Sequence, residues 1–217
     1  MTTSDAGLAN DDPLWERIDE VLSEAERLGM VGGAHRSIHM RQARALARVA
    51  GAPNGRVLDL GSGGGLPGLI LAALWPEAPI TLLDGSVKRA KFLESAVDKL
   101  GCGTRIDVAE GRAEELAHDP DLRGVFDLVV ARSFGPPAVV AECAGGFLRT
   151  GGRLVVSEPP DSDGARWAHD TELATLGYRR DVLDRDDGFG FQVLTLVEPC
   201  PWSYPRHVGI PAKRPLF

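Results

Sequence analysis

The chain has 217 residues, a formal net charge of −7 and a hydrophobic fraction of 43%. This length suits one sizeable α/β domain with a short N-terminal addition. No stretch is apolar for long enough to cross a membrane, and the N-terminus lacks a basic-then-apolar signal pattern. The three cysteines lack metal or redox spacing, so we expect a cytoplasmic protein with no metal and no membrane partner.

The first fifty residues predict a disordered tail followed by two helices. Residues 1–12 are small and polar, which is typical of disorder. Pro13 opens an amphipathic helix that ends near Gly29, and a second helix is expected from about Ser37 to Val49. Its arginines should face outward, and its inward residues should be Ile38, Ala45, Leu46 and Val49. Residues 13–50 are therefore predicted to form a helical N-terminal extension.

A strand, a glycine-rich turn and a helix follow. Arg56 to Leu60 suits a buried strand, and an apolar helical pattern runs from Leu66 to Trp75. The next apolar run ends in Asp84, at the spacing where a carboxylate accepts ribose hydroxyls. Glycines let the turn approach a ligand closely. The turn residues predicted to line the ligand are Gly61, Ser62, Gly63 and Gly65.

The sequence of the turn narrows the kind of nucleotide. It lacks the Gly-Lys-Ser/Thr of a phosphate-binding loop, and its glycine spacing differs from that of a dinucleotide fold. Asp59, just before the turn, suits a ligand with an amino group and a sulfonium. The pattern Asp-x-Gly-x-Gly-x-Gly resembles the first motif of class I S-adenosylmethionine (SAM) methyltransferases. A glycine turn without a ligand is the alternative.

Strands and helices alternate through the rest of the chain. Further helices are predicted over Val87 to Leu100, from Ala113 to Leu116, over Pro136 to Leu148 and near Ala165 to Leu176. Further strands are predicted over Arg105 to Ala109, Phe126 to Ala131 and Arg153 to Ser157, before a closing hairpin of Tyr178 to Leu183 with Phe191 to Val197. This alternation predicts a Rossmann-like, mostly parallel sheet with a C-terminal antiparallel hairpin over residues 51–198. The basic, proline-rich tail, residues 199–217, should be extended.

Residues at the carboxyl ends of the predicted strands are the candidates for chemistry, because ligands bind there in such sheets. The loop after the third strand usually covers the adenine, although Glu114 also suits a first helical turn electrostatically. Arg132 ends the fourth strand, where it suits a carboxylate, a phosphate or a purine edge, or else a structural ion pair. The predicted cofactor contacts of these loops are Gly85, Arg112, Ala113, Glu114 and Arg132.

Several segments together resemble one family, the small-subunit rRNA guanine-N7 methyltransferases (RsmG, also called glucose-inhibited division protein B). They are Leu66-Pro67-Gly68, Lys88-Arg89 with Phe92-Leu93, Gly111-Arg112-Ala113-Glu114, Ala131-Arg132-Ser133-Phe134 and the tail from Tyr204 to Pro215. The resemblance runs from about Ile38 to the end. It implies SAM contacts at Gly61, Gly63, Leu66, Asp84, Ala113, Glu114 and Arg132.

Other positions depart from that family's pattern. Its N-terminal Asn-Leu-Thr segment is missing, and its His-x-x-Asp-Ser becomes His39 followed by Gln42-Ala43. Its Leu-Lys-Gly after the fifth strand becomes Ser157-Glu158-Pro159, so an acid replaces a cation that faces the RNA. His39, Arg132 and Glu158 are the candidate catalytic residues. Glu158 could stabilise the cationic ring that methylation of guanine N7 produces, with a solvated acid as its alternative. The alternative for His39 is a buried core histidine.

Three interpretations of function follow. The favoured one is guanine-N7 methylation of 16S rRNA, naked or in the 30S subunit, with S-adenosylhomocysteine (SAH) as a product. It places four cations at the rim of the SAM cleft: Arg41, Arg44, Arg206 and Lys213. The second is a diverged relative that methylates a small molecule or a protein, with Glu158 facing an amine. The third is a SAM-binding regulator without catalysis.

Overall fold

The computed structural model describes residues 13–32 and 35–217. The predicted disordered tail, residues 1–12, lies outside the described residues. The helices are α1 (Pro13–Arg27), α2 (Arg36–Ala50), α3 (Gly68–Leu74), α4 (Val87–Leu100), α5 (Ala113–Leu116), α6 (Pro137–Gly145), a 3-10 turn (Ala165–Trp167), α7 (Asp170–Thr175) and α8 (Ile210–Lys213). The strands are β1 (Val57–Leu60), β2 (Ile80–Asp84), β3 (Ile106–Glu110), β4 (Phe126–Ala131), β5 (Leu148–Glu158), β6 (Tyr178–Asp186) and β7 (Phe189–Leu196).

The strands form one seven-stranded sheet in the order β3-β2-β1-β4-β5-β7-β6. Strands β1 to β5 pair in parallel, and β7 pairs antiparallel with both β5 and β6. Every residue of β1 and β2 is buried, as expected for strands covered by helices on both faces. The predicted mostly parallel sheet with a C-terminal antiparallel hairpin is confirmed.

The two faces of the sheet carry separate apolar clusters. Helices α1 to α4 pack on one face, and α5 to α7 with part of the tail pack on the other. The two N-terminal helices therefore share a core with the sheet, since α1 contacts α3 and α4, and α2 contacts α3 and β6.

The inward face of α2 begins one residue later than predicted. Ile38 is 42% exposed, whereas His39 beside it is buried. Because successive residues of a helix are about 100° apart, the buried stripe begins at His39 and continues through Ala43, Leu46 and Ala50. The expectation of an inward Ile38 was wrong.

Several element boundaries also differ from the predictions. Helix α6 ends at Gly145, and β5 begins at Leu148 rather than Arg153, because Leu148 pairs with Phe126 across a bulge. Gly152 lies within that strand, where a Cβ would come within 2.9 Å of two carbonyl oxygens. The helix predicted near 165–176 is divided into the 3-10 turn and α7, because Trp167 turns its ring into the core.

The C-terminal tail is docked rather than simply extended. Arg206 donates through both its guanidinium and its main-chain N–H to the buried carboxylate of Glu142 on α6. Arg123 donates to four carbonyl oxygens, three of them in the tail. The tail also contains the short helix α8, which the prediction of an extended segment did not include.

We expect Arg206→Ala to lower the free energy of unfolding by about 3–5 kcal/mol, because it leaves the Glu142 carboxylate buried without a countercharge. Denaturant unfolding monitored by circular dichroism measures this. The control is Arg149→Ala, which removes an exposed pair with Asp127 and should cost less than about 1 kcal/mol. Equal losses in the two variants would contradict the assignment of Arg206 as the tail's anchor.

Candidate active site

The glycine turn curls over the end of β2. The main-chain N–H groups of Gly61 and Ser62 both donate to the carbonyl of Leu83 at 2.9 Å. Gly61 and Gly65 have positive φ, and a Cβ at either would lie within 2.6 Å of a neighbouring side chain. Gly63, also at positive φ, faces more open space, because the nearest atom to an added Cβ would be 3.8 Å away. The turn therefore presents bare backbone at Gly63.

Asp59 lies beneath this turn and is fully buried. Its Oδ2 accepts a hydrogen bond of 2.9 Å from the N–H of Gly68, at the start of α3. Its Oδ1 has no hydrogen-bond partner among the described residues. Burial raises the pKa of Asp59 to about 6, although hydrogen bonds and the charge of Arg132 oppose that rise. An unpartnered buried carboxylate oxygen fits a ligand that brings an ammonium group.

Asp84 is fixed on the other side of the turn. Its two oxygens accept 2.9 Å hydrogen bonds from the N–H groups of Gly63 and Ser86. Each carboxylate oxygen has a second lone pair, so both remain able to accept a ribose hydroxyl. Gly85 follows, and an added Cβ there would lie 3.4 Å from the side chain of Arg112. The residues present fit SAM, because an acid for its amino group and an acid for its ribose flank one glycine turn.

Glu114 connects the loop after β3 to the tail. Its Oε1 accepts from Arg112 at 2.9 Å and from the N–H of Gly209 at 3.1 Å. Burial opposes ionisation of Glu114, but these two donors outweigh burial and lower its pKa. Ala113 beside it is buried. The partners of Glu114 are thus in the protein, and the contacts of Arg112, Ala113 and Glu114 with a cofactor stay predictions.

Arg132 joins the sheet to α2. Its Nη1 donates to His39 Nδ1 at 2.8 Å and to Gln42 Oε1 at 3.1 Å. Burial and the nearby guanidinium lower the pKa of His39, so the ring is neutral near pH 7. Since Nδ1 accepts, we assign the proton to Nε2, which is buried and has no partner among the described residues. The structure therefore brings the predicted residues His39 and Arg132 into contact.

Gln42 is a site residue that the sequence prediction missed. It lies three residues after His39, so both side chains stand on the same face of α2. That spacing could have identified Gln42, but the sequence prediction considered only that an acid of the family's pattern is absent at this position. Its carbonyl oxygen helps to hold the Arg132 guanidinium.

A cavity of about 670 Å³ opens beside the glycine turn. Its walls come from α2, from the ends of β4 and β5 and from the start of β7, and they include Ile38, His39, Gln42, Arg132, Phe134, Glu158, Arg166 and Phe189. The ring of Phe134 lines this cavity and also packs against Gly61, where an added Cβ would lie 2.6 Å away. Ser133 before it has φ of 56°, a strained value for a residue with a Cβ. This kink brings the cavity and the glycine turn together.

Glu158 lies in the wall of the cavity, and its side chain is 0% exposed. Its oxygens accept hydrogen bonds from Trp167 Nε1 at 2.9 Å and from Ser162 Oγ at 2.7 Å. The alternative of a solvated acid was therefore wrong. Its carboxylate holds the segment from 158 to 167, and a direct effect of Glu158 on a cationic product stays a prediction.

The basic residues of α2 have partners near the cavity. Arg41 pairs with Asp187 at the tip of the β6–β7 hairpin, and Arg48 pairs with the neighbouring Asp186. The acids of the hairpin thus offset the charge of α2. Arg206, also predicted at the cleft rim, instead pairs with Glu142 under the tail. Among the described residues, no group of three His, Cys, Asp or Glu side chains is arranged to hold a metal ion, and no helix is suited to span a bilayer.

The chain is similar to proteins of known families. The sequence model of a family described as rRNA small subunit methyltransferase G matches residues 38–168. A "Ribosomal RNA small subunit methyltransferase G" of Prochlorococcus marinus is 37% identical over 74% of this chain and 68% of its own length. One of Thermotoga sp. is 31% identical over 97% of this chain and 95% of its own.

A solved structure supports the fold assignment. An O-methyltransferase of Bacillus cereus in complex with SAH has a TM-score of 0.60 and 16% identity, covering 84% of this chain and 91% of that chain. At that identity the likeness concerns the fold, which is that of the class I SAM-dependent methyltransferases. The predicted fold class is confirmed.

We expect Asp59→Asn to stabilise the SAM-free protein. Because burial raises the pKa of Asp59 from 3.8 to about 6, its ionisation above that pH costs the folded state. At about 1.4 kcal/mol per pKa unit, the free energy of unfolding of the variant should exceed that of the parent by about 2–3 kcal/mol near pH 7.5. The gain should vanish near pH 4, where Asp59 is protonated in the folded protein.

Denaturant unfolding at the two pH values measures this difference. The control is Asp98→Asn, which changes a surface carboxylate of α4 and should leave stability within about 0.5 kcal/mol at both. If Asp59→Asn is less stable than the parent near pH 7.5, the ionised Asp59 carboxylate does not destabilise the SAM-free protein, and this interpretation is wrong.

Proposed function

Because the chain belongs to the rRNA small subunit methyltransferase G (GidB) family, we propose that it transfers a methyl group from SAM to guanine N7 in 16S rRNA. The observation that carries this proposal is that the glycine turn and the cavity share one side chain. The ring of Phe134 packs on the glycine turn, and the same ring lines the cavity that contains Arg132, His39 and Gln42. A methyl donor on the turn and an acceptor in the cavity would be neighbours.

The residues around the turn are suited to hold SAM. Oδ1 of Asp59 would receive its amino group, the Asp84 carboxylate would accept its ribose hydroxyls, and the backbone at Gly63 leaves room for close approach. When bound, SAM supplies an electrophilic methyl group. The protein's task is then mainly alignment of the acceptor, which can contribute about 7–11 kcal/mol to lowering the barrier.

The groups in the cavity suit guanine N7 as the acceptor. This nitrogen carries an exposed lone pair and needs no general base. Among the described residues that line the cavity, none is an exposed carboxylate that would act as one. Arg132 and the Nε2–H of neutral His39 are hydrogen-bond donors, and guanine presents an acceptor at O6 beside N7. A cavity of about 670 Å³ is large enough for a base turned out of its stack.

The interpretation with an amine or other cationic substrate loses its main support. It required Glu158 to face the substrate, but the Glu158 side chain is 0% exposed and its oxygens accept from Trp167 and Ser162. The exposed charge at the cavity belongs to the guanidinium of Arg166 instead. An anionic substrate such as RNA fits this balance better.

The proposal predicts methyl transfer to one guanine of unmodified small-subunit rRNA. Purified protein, labelled SAM and either 16S rRNA transcribed in vitro or 30S subunits reconstituted from it should give N7-methylguanosine, identified by nuclease digestion and mass spectrometry. Asp59→Ala should abolish the label, because it removes the expected partner of the SAM amino group, and Arg149→Ala should retain it.

Two results would contradict the proposal. One is the absence of label on both RNA substrates while calorimetry shows that the protein binds SAM. The other is label on a different atom, such as the exocyclic N2 of guanine. The first would favour a small-molecule or protein acceptor, and the second would keep the RNA substrate but change the chemistry assigned to the cavity.

A further inference from the structure

The charged side chains that line the cavity beside the glycine turn differ in how exposed they are. They are Arg132, Glu158 and Arg166. The guanidinium of Arg132 is engaged with His39 and Gln42, and the Glu158 carboxylate is buried. Arg166 differs from both, because its side chain is 43% exposed at the cavity. It is the most exposed of the three groups.

Arg166 is held at the cavity through one side of its guanidinium. Its Nε lies 3.5 Å from Oε2 of Glu158. Its two terminal nitrogens make no hydrogen bond in the part of the chain that the structure describes. A guanidinium that faces an acid through Nε and makes no hydrogen bond through Nη1 and Nη2 can offer a planar pair of donors, the geometry that recognises phosphate oxygens.

The segment that carries Arg166 is itself fixed. Trp167 is buried, and its indole N–H donates to Glu158 Oε1. Arg185 of β6 donates to the carbonyl oxygens of Pro160 and Ser162 in the same segment. Asp163 on this segment is engaged in accepting from the N–H of Ala165. The guanidinium is thus presented from an ordered base rather than from a free loop.

We propose that Arg166 binds a backbone phosphate of the RNA strand whose guanine enters the cavity, and that Glu158 is the positioning residue that holds Arg166 there. This inference rests on the proposed function for the identity of its ligand. It gives the buried Glu158 carboxylate a role in substrate binding that requires no contact with substrate. It also places a cation, Arg166, beside the acid Glu158 that ends β5.

The test measures binding of 16S rRNA, transcribed in vitro, in the presence of SAH and over a range of KCl concentrations. Arg166→Ala should weaken binding about tenfold and reduce the slope of log K against log salt by about 0.7–1, as expected for one lost phosphate contact. Affinity for SAH should stay within about twofold, because Arg166 lies outside the glycine turn. Arg166→Lys should keep the slope and recover part of the affinity.

Two further variants guard against a purely structural effect. Arg149→Ala is the matched control, because Arg149 lies at the opposite end of β5, is 48% exposed and pairs with Asp127 of β4. It should change neither affinity nor slope. If Arg166→Ala misfolds because Glu158 keeps an unpaired charge, the double variant Glu158→Gln with Arg166→Ala removes both charges. That variant should show the same reduced slope.

The outcomes separate this inference from the proposed function. An unchanged salt slope in both Arg166→Ala and the double variant, while the parent methylates rRNA, overturns the phosphate contact alone. A reduced slope without methyl transfer by the parent overturns the proposed function and keeps the contact. A parent protein that neither binds nor methylates the RNA overturns both.

Discussion

The structure depends on a carboxylate that is buried with only one of its oxygens paired. Oδ2 of Asp59 fixes the first N–H of α3, while Oδ1 has no partner among the described residues, and burial raises the pKa to about 6. An apolar residue there would cost the fold less. The glycine turn, the start of α3 and the position of Arg132 all surround this group. We therefore interpret it as a charge kept for a ligand's ammonium group.

Arg132 connects this buried charge to the acceptor side. Asp59 partly offsets the effect of burial on the pKa of Arg132, while its guanidinium donates to His39 and Gln42 on α2. Helix α2 thus forms one wall of the cavity as well as part of the core. The ion pairs of Arg41 and Arg48 join α2 to the β6–β7 hairpin, whose Phe189 also lines the cavity. These links explain how the N-terminal helices shape the acceptor site.

The sequence was sufficient for features that depend on local pattern. The apolar strands, the glycine turn and the spacing to Asp84 predicted the sheet and a turn that lies beside Asp84, and both are in the structure. Features that depend on distant partners were missed. The start of β5 at Leu148 was missed because its pairing with Phe126 is not local. The burial of Glu158 required Trp167 and Ser162, and the exposure of Ile38 required the exact phase of α2.

The most direct test of the role of Asp59 is calorimetric titration of SAM at pH 5 and at pH 7. With a pKa of about 6, Asp59 is mostly protonated at the lower pH and mostly ionised at the higher, while the amino group of SAM is protonated at both. We predict about tenfold tighter binding at pH 7, and no such difference in Asp59→Asn, which should bind weakly throughout. Equal affinity of the parent protein at the two pH values, or Asp59→Asn binding as tightly as the parent at pH 7, would contradict the account.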